Sequence, residues 1–307
     1  MTERLVNTPD VQALLDKLSG GTAATGNPRI KAIIRRIVGD LFATIDEFDI
    51  TDDEFWAALN YAAAGAQEFG LWAAGLGVER YLDIRADAKD AEAGKAGGTP
   101  RTIEGPLYVA GAPTAEGFVR LDDGADHAET LLMHGQVRDT NGKPIAGAAV
   151  EVWHANTLGN YSYFDKTQSD FNLRRTIITD AEGRYAFRSI VPSGYACPPG
   201  GSTAGILKAI GRHGHRPAHI HFFVSAPGER RLTTQINIAG DAFLHDDFAY
   251  ATRDELIPAV TRREGGGLGA RYGLEGPYAE IEFDFVLQPT DIEAETLAST
   301  RLRAKAA

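Results

Sequence analysis

The chain has 307 residues, with 42 acidic against 31 basic side chains and a formal net charge of -11, a balance that disfavours nucleic acid and anionic membrane surfaces as partners because both require a basic face. One cysteine, Cys197, closes no disulfide within the chain, and the opening Met-Thr-Glu-Arg has no apolar signal core, so a cytoplasmic protein is expected. No apolar run reaches the roughly 18 residues of a membrane span, and the length suits a large β domain beside a smaller helical one.

The first hundred residues read as helical. Asn27 and Pro28 form a cap and first-turn pair ahead of Ile30, Ile33, Ile34, Ile37, Val38, Leu41, Phe42 and Ile45, an apolar stripe at three- and four-residue spacing. Thr51 and Glu54 make a capping box before Phe55, Trp56, Leu59, Ala62 and Ala63, with Gly70 as the expected stop. A polar helix starting near Ala86 dissolves into glycine and proline by Arg101, which sets a helical domain at 1–100. Short alternating segments follow at 132–137, 149–153 and 184–187, separated by the turn sequences Asp-Thr-Asn-Gly and Asp-Ala-Glu-Gly. This texture predicts an α+β chain whose second domain, 101–290, is an antiparallel β-sandwich. Helices are expected to interrupt it at 203–210 and 252–262, and the tail, 291–307, reads as a polar helix or a frayed end.

Four side chains carry the chemistry: Tyr161 in Gly-Asn-Tyr-Ser, Tyr195 in Ser-Gly-Tyr-Ala-Cys-Pro-Pro, and His219 and His221 in Arg-Pro-Ala-His-Ile-His-Phe-Phe-Val. Side chains alternate along a strand, so the two histidines point the same way and can grip one ion while Ile220 turns to the opposite face. Imidazole suits zinc, copper, iron and nickel alike. The tyrosines narrow the choice. A phenol of ordinary pKa near ~10 ionises at neutral pH only beside a strong Lewis acid, which ferric iron supplies, whereas zinc is bound by His, Cys or carboxylate. Taken singly, each tyrosine reads first as a buried or loop residue with a hydrogen-bonded hydroxyl. Two imidazoles on one apolar face are costly to bury without a shared partner. His213 and His215 repeat the spacing, but Gly214 between them and Arg216-Pro217 after them indicate a solvated loop. His127, His134, His154 and His245 stand alone and read as structural or surface residues, and Cys197 as a small buried apolar one.

Six segments widen this pattern: Arg-Thr-Ile-Glu-Gly-Pro-Leu-Tyr-Val-Ala-Gly-Ala-Pro from Arg101, Gly-Gln-Val-Arg-Asp-Thr-Asn-Gly-Lys-Pro-Ile-Ala-Gly-Ala-Ala-Val-Glu-Val-Trp-His-Ala-Asn from Gly135, Gly-Asn-Tyr-Ser-Tyr-Phe-Asp from Gly159, Gly-Tyr-Ala-Cys-Pro-Pro, Arg-Pro-Ala-His-Ile-His and Leu-Thr-Thr-Gln-Ile-Asn. Together, and in this order, they resemble the intradiol ring-cleaving dioxygenases over nearly the whole chain, most closely the members that act on catechol. The resemblance implies Fe(III) held by Tyr161 and His219 equatorially and by Tyr195 and His221 axially, with a hydroxide completing the shell. The family's Gly-x-Tyr pattern falls on Tyr161 and not on the neighbouring Tyr163. It further implies catechol and O2 as substrates, cis,cis-muconate as product, Tyr195 as a base that leaves the metal, Arg216 as the group that steadies substrate charge, and Gln235 beside the metal. The implied substrate contacts are Leu71, Ala74, Ile103, Pro106, Leu107, Phe248 and Ala249. Many members have proline where this chain has Ala74, with the bulky Trp72 nearby, so the preferred ring substitution stays open between catechol, hydroxyquinol and chlorocatechol. The family also implies a homodimer paired through the N-terminal helices around a phospholipid-filled apolar tunnel, with no nucleic acid or membrane partner. From the residues alone, a zinc or copper His-x-His hydrolase or oxidase and a non-catalytic β-sandwich binding module remain as alternatives.

Overall fold

The computed structural model describes residues 5–21, 25–95, 97–290 and 304–305. The helix Pro28–Phe48 begins where the Asn27 side chain accepts the N–H groups of Arg29 at 2.9 Å and Ile30 at 3.3 Å, with Pro28 in the first turn, where no N–H is needed. None of its side chains is buried, and Ile30, Ile33, Ile34, Ile37 and Leu41 are all exposed. The Thr51–Glu54 box is formed reciprocally at the start of Asp52–Ala64. That helix ends at Ala64 with Gly65 as its cap, and Gly70, the expected stop, lies inside the next helix, Phe69–Gly75. Glycine at 65 is the earlier and sufficient break. Val78–Glu92 follows. The chain divides into two compact units, Met1–Ala66 and Gln67–Ala307. The division falls well before residue 100, because Ala74 of the Phe69–Gly75 helix packs with Leu207 and Phe248.

Two sheets build the second unit. One orders the strands Leu232–Asn237, His219–Ser225, Ala149–His154, Arg174–Ile178 and Thr114–Glu116. The other orders Thr261–Arg263, Tyr278–Glu282, Thr130–Asp139, Arg184–Ile190 and Phe118–Arg120, with Phe285–Leu287 also on Thr130–Asp139. The central pairings are antiparallel. Thr114–Glu116 pairs in parallel with Arg174–Ile178, Phe118–Arg120 with Arg184–Ile190, and Tyr278–Glu282 and Phe285–Leu287 with Thr130–Asp139, so the sheets are mixed and the expectation of a purely antiparallel sandwich is corrected. Parallel neighbours need long crossovers, and these strands join partners far away in the chain.

Period-two alternation places the site. Ile220, Phe222 and Val224 enter the main core with Val150, Val152, Leu131, Met133, Phe187 and Phe285. Phe223, from the opposite face of the same strand, packs with Trp153, Tyr108 and Tyr161. The strand is therefore buried on both faces from His219 to Val224.

The expected helix at 203–210 is present as Ser202–Ala209. The one expected at 252–262 is not. It is a short 3-10 turn, Asp254–Leu256, after which Ile257 adopts φ -113 and ψ 77 ahead of Pro258, and Thr261–Arg263 is a strand. Proline excludes the residue before it from the helical region. Of the tail, 291–303 and 306–307 lie outside the described residues, while Ala304–Lys305 pairs in parallel with Val109–Ala110. No described helix is long and apolar enough to cross a membrane.

Candidate metal centre and substrate cavity

Three local devices bring the four donors together. His221 sits on the strand His219–Ser225, opposite Trp153 on one side and Gln235 on the other, and its ring stacks on Trp153 at 5.0 Å between centroids and 5° between planes. Tyr195 lies in a two-rung ribbon, Tyr195–Ala196 against His215–Arg216, which pairs Tyr195 with Arg216. The loop carrying Tyr161 is shaped by the Asn156 side chain, which accepts from the N–H groups of Leu158 at 3.0 Å and Asn160 at 2.9 Å. It closes on the ribbon at Gly159, where a Cβ would come within 2.6 Å of the Tyr195 Cβ.

The His219 and His221 Nε2 atoms are 3.0 Å apart. The Tyr161 hydroxyl is 3.4 Å from both the Tyr195 hydroxyl and His219 Nε2, and the Tyr195 hydroxyl is 3.4 Å from His219 Nε2. Donors about 2.0–2.1 Å from one ion stand about 2.9 Å apart at right angles and about 3.5 Å apart at 120°. The four distances, all of which link donors of this set, match donors sharing one ion. His219 Nδ1 lies 2.6 Å from the Pro217 carbonyl, so as the protonated nitrogen it donates there and leaves the Nε2 lone pair aimed inward. Tyr161, His219 and His221 are buried, and Tyr195 is half-buried.

Burial, with the Arg216 charge adding to it, lowers the pKa of His219 to about 3, and burial together with His219 takes His221 well below its ordinary value. Both imidazoles are therefore neutral and able to coordinate. Burial, reinforced by Tyr195, holds the Tyr161 phenol well above its ordinary value, a preference that a bound cation reverses. Among the described residues no group of three or more His, Cys, Asp or Glu could hold a metal. The donor set here needs its phenols, and two phenols with two imidazoles suit a hard trivalent ion better than zinc.

Arg216 is buried beside these atoms. Its Nη1 lies 3.1 Å from His219 Nε2, its Nη2 donates to Gln235 Oε1 at 2.7 Å, and its Nε and Nη2 donate to the Asp247 carboxylate at 3.2 and 3.1 Å. Burial opposes the guanidinium charge, but Asp247 outweighs it and the pKa rises. Burial likewise pushes the Asp247 carboxyl up, and Arg216 more than offsets that, so it is held below the usual range. Asp247 was not foreseen. A buried arginine needs a counter-charge, but Asp246-Asp247 before Phe248 reads as a surface turn, and nothing local marks which acid folds inward.

A cavity of about 490 Å³ opens beside Tyr161, Tyr195 and Arg216, and Leu71, Ala74, Ile103, Pro106, Leu107, Phe248 and Ala249 all line it. Gly105, Asn160, Phe164 and Cys197 also line it without having been singled out as contacts. A larger, strongly charged cleft of about 720 Å³ shares only Ile103 with it and holds none of the four donors. Tyr163 does not line the cavity; its ring lies under Lys166 Nζ at 4.6 Å. His213 and His215 are half-buried, which corrects the solvated reading: His213 pairs with Asp246 at 3.0 Å and His215 stacks on Phe243 at 4.4 Å. His154 is structural. It is fully buried, its ring nitrogens contact Ser189 Oγ at 2.7 Å and the Ala155 carbonyl at 2.8 Å, and burial lowers its pKa to about 4.

Residues 27–94 match the family model described as the catechol dioxygenase N terminus, and residues 103–289 match the dioxygenase model. Catechol 1,2-dioxygenase 2 of Acinetobacter lwoffii is 62% identical over 84% of this chain and 95% of its own length. The solved structure of catechol 1,2-dioxygenase from Acinetobacter sp. ADP1, inhibited by bound mercury, superposes with a TM-score of 0.94 at 49% identity, covering 99% of this chain and 100% of that one. Hydroxyquinol 1,2-dioxygenase of a Rhizobium species is more distant, at 32% identity over 85% of this chain and 90% of its own.

Proposed function

The chain belongs to the dioxygenase family that these models define, and from that premise we propose that it is an enzyme that cleaves catechol with O2 between the two hydroxyl-bearing carbons to give cis,cis-muconate. The observation that carries the reading is the convergence on His219 Nε2 of the two phenol oxygens at 3.4 Å and His221 Nε2 at 3.0 Å, beside a cavity that the two tyrosines line. Tyr161, Tyr195, His219 and His221 are assigned as ligands of one ferric ion. Bound iron would supply the Lewis acidity that favours a doubly deprotonated catechol and the electron-accepting character that opens its ring to O2.

The remaining chemistry belongs to the protein. Tyr195, the most exposed of the four ligands, would give up its place to substrate and take a catechol proton at its hydroxyl oxygen. Arg216, kept charged by Asp247 and oriented by Gln235, would meet negative charge as it grows on the substrate. Leu71, Ala74, Ile103, Pro106, Leu107, Phe248 and Ala249 would hold the ring in a water-poor bed. The 62% identity to a catechol 1,2-dioxygenase, against 32% to a hydroxyquinol 1,2-dioxygenase, favours catechol over hydroxyquinol as the substrate.

The same reading includes a homodimer. Pro28–Phe48 buries nothing and exposes five aliphatic side chains, a face that a second copy, with phospholipid chains between the two, would cover.

Metal analysis and visible absorption test the assignment. About one iron per chain and a red, phenolate-to-iron band are expected. Tyr161→Phe should lose iron affinity, whereas Tyr195→Phe should keep iron but chelate catechol slowly after anaerobic mixing, because the second proton lacks its acceptor. A colourless, zinc-loaded and fully active protein would end this reading.

A further inference from the structure

The cavity has two walls from distant parts of the chain. The helix Phe69–Gly75 supplies Leu71 and Ala74, and the turn after Asp247 supplies Phe248 and Ala249. One side chain holds both backbones. Arg212 donates from Nη1 to the Gly75 carbonyl at 2.5 Å and from Nη2 to the Phe248 carbonyl at 3.0 Å, and its guanidinium lies over the Tyr250 ring at 4.6 Å. The Gly75 carbonyl is the last of its helix, where backbone acceptors lack helical partners and the helix dipole favours a cation. A planar fork with fixed donor directions spans two carbonyls at a set separation, whereas an ammonium on a flexible stem sets none.

The walls meet with little slack. A Cβ at Gly75 would stand 3.3 Å from the Phe248 ring. On the other wall, Tyr250 has φ 55, a left-handed conformation that is costly for a bulky side chain, and its N–H is tied back to the Asp247 carbonyl at 2.9 Å. Such a turn keeps its shape only while its surroundings enforce it. Arg212 does so from outside, since it does not line the cavity.

We propose that Arg212 is a positioning residue that fixes the separation of these two walls and thereby the size of ring substituent the cavity admits. The inference rests on the cavity being the catechol site. Steric exclusion of an extra methylene is worth about 10- to 200-fold, and only where the wall cannot yield.

The test compares the parent protein with Arg212→Ala and Arg212→Lys. Dissociation constants for catechol and 4-tert-butylcatechol are measured by anaerobic absorbance titration, and kcat and KM are measured in air. In Arg212→Ala, iron content and the visible band should match the parent, while the preference for catechol over the bulky analogue should shrink about tenfold, in Kd and KM more than in kcat. Arg212→Lys, with its charge but no fork, should fall between, and it keeps the test alive if the alanine variant does not fold. A preference unchanged within about twofold in folded, iron-replete variants, or an equal loss for both ligands, overturns the proposal. A parent protein that neither binds nor turns over catechol overturns the site assignment first, and the inference with it.

Discussion

Replacing Asp247 by alanine removes two bonds to the Arg216 guanidinium, at 3.2 and 3.1 Å, and two from backbone N–H groups, those of Ala249 at 3.0 Å and Ala251 at 3.3 Å. Arg216 and Asp247 are only 4% and 6% exposed, so water cannot easily replace the lost partner. Breaking a buried pair costs about 3–5 kcal/mol. Two orphaned donors add about 1 kcal/mol each, so the total is about 5–7 kcal/mol, against a whole-domain stability of about 5–15 kcal/mol. Asp247→Asn keeps the shape and one acceptor and should lose about half as much. Because the Asp247 carboxyl is held below its unfolded value, its stabilisation is complete above the unfolded pKa of about 3.9 and is lost as pH falls through the lower folded value. The gap between parent and Asp247→Asn should therefore be full at neutral pH and narrow in acid. Urea unfolding followed by circular dichroism, repeated across pH, measures it. An Asp247→Ala protein within about 1 kcal/mol of the parent would refute the reasoning, since no buried pair of this kind is that cheap to break.

Other outcomes follow from single contacts. Gly135→Ala should cost about 3 kcal/mol or more, or leave the protein insoluble, because the new Cβ would overlap the Phe283 carbonyl oxygen, whereas Gly142→Ala, at φ 79 in open space, should cost about 1 kcal/mol. Equal midpoints in thermal unfolding would contradict this. Burial raises the Asp83 carboxyl to about 6, with Arg253 offsetting part of the effect. The folded state therefore keeps that proton longer, and this group makes stability fall as pH rises from about 4 to about 6. Asp83→Asn should flatten that part of the profile, and an unchanged slope counts against the buried-carboxyl account. Ile34→Glu with Ile37→Glu should sediment as a monomer with its iron intact; a dimer that survives both charges would place the interface elsewhere.

Local chemistry made much of the fold legible. The caps at Asn27 and at Thr51–Glu54 act within four residues, and the alternation from His219 to Val224 needs only the strand itself. The parallel strands were not legible, because Thr130–Asp139 meets Tyr278–Glu282 across a separation no local pattern records. The expected helix at 252–262 fails at Pro258, whose effect on the residue before it is local and visible in the sequence. At the site, spacing and side-chain type pointed to the four donors, whereas the groups that hold them or the cavity walls did not show. Trp153 under His221 depends on strand register, and the burial of Asp247 and the double grip of Arg212 depend on which distant backbones arrive beside them.

The two-rung ribbon that joins Tyr195 to Arg216 also limits how the hydroxyl of Tyr195 can move. Arg216 is moored to Asp247 and Gln235, and the loop at Gly159 runs so close to Tyr195 that a Cβ there would clash, so the main chain at Tyr195 is a fixed pivot. Any excursion of the phenol must then be a rotation about its χ angles. Rotation of one side chain needs no loop to lift and reclose, a motion that takes nanoseconds to microseconds. Exchange of a ligand at that corner of the site would be governed by a swinging ring on a rigid hinge pin, and the amide protons of Tyr195 and Arg216 would keep their protection while it happens.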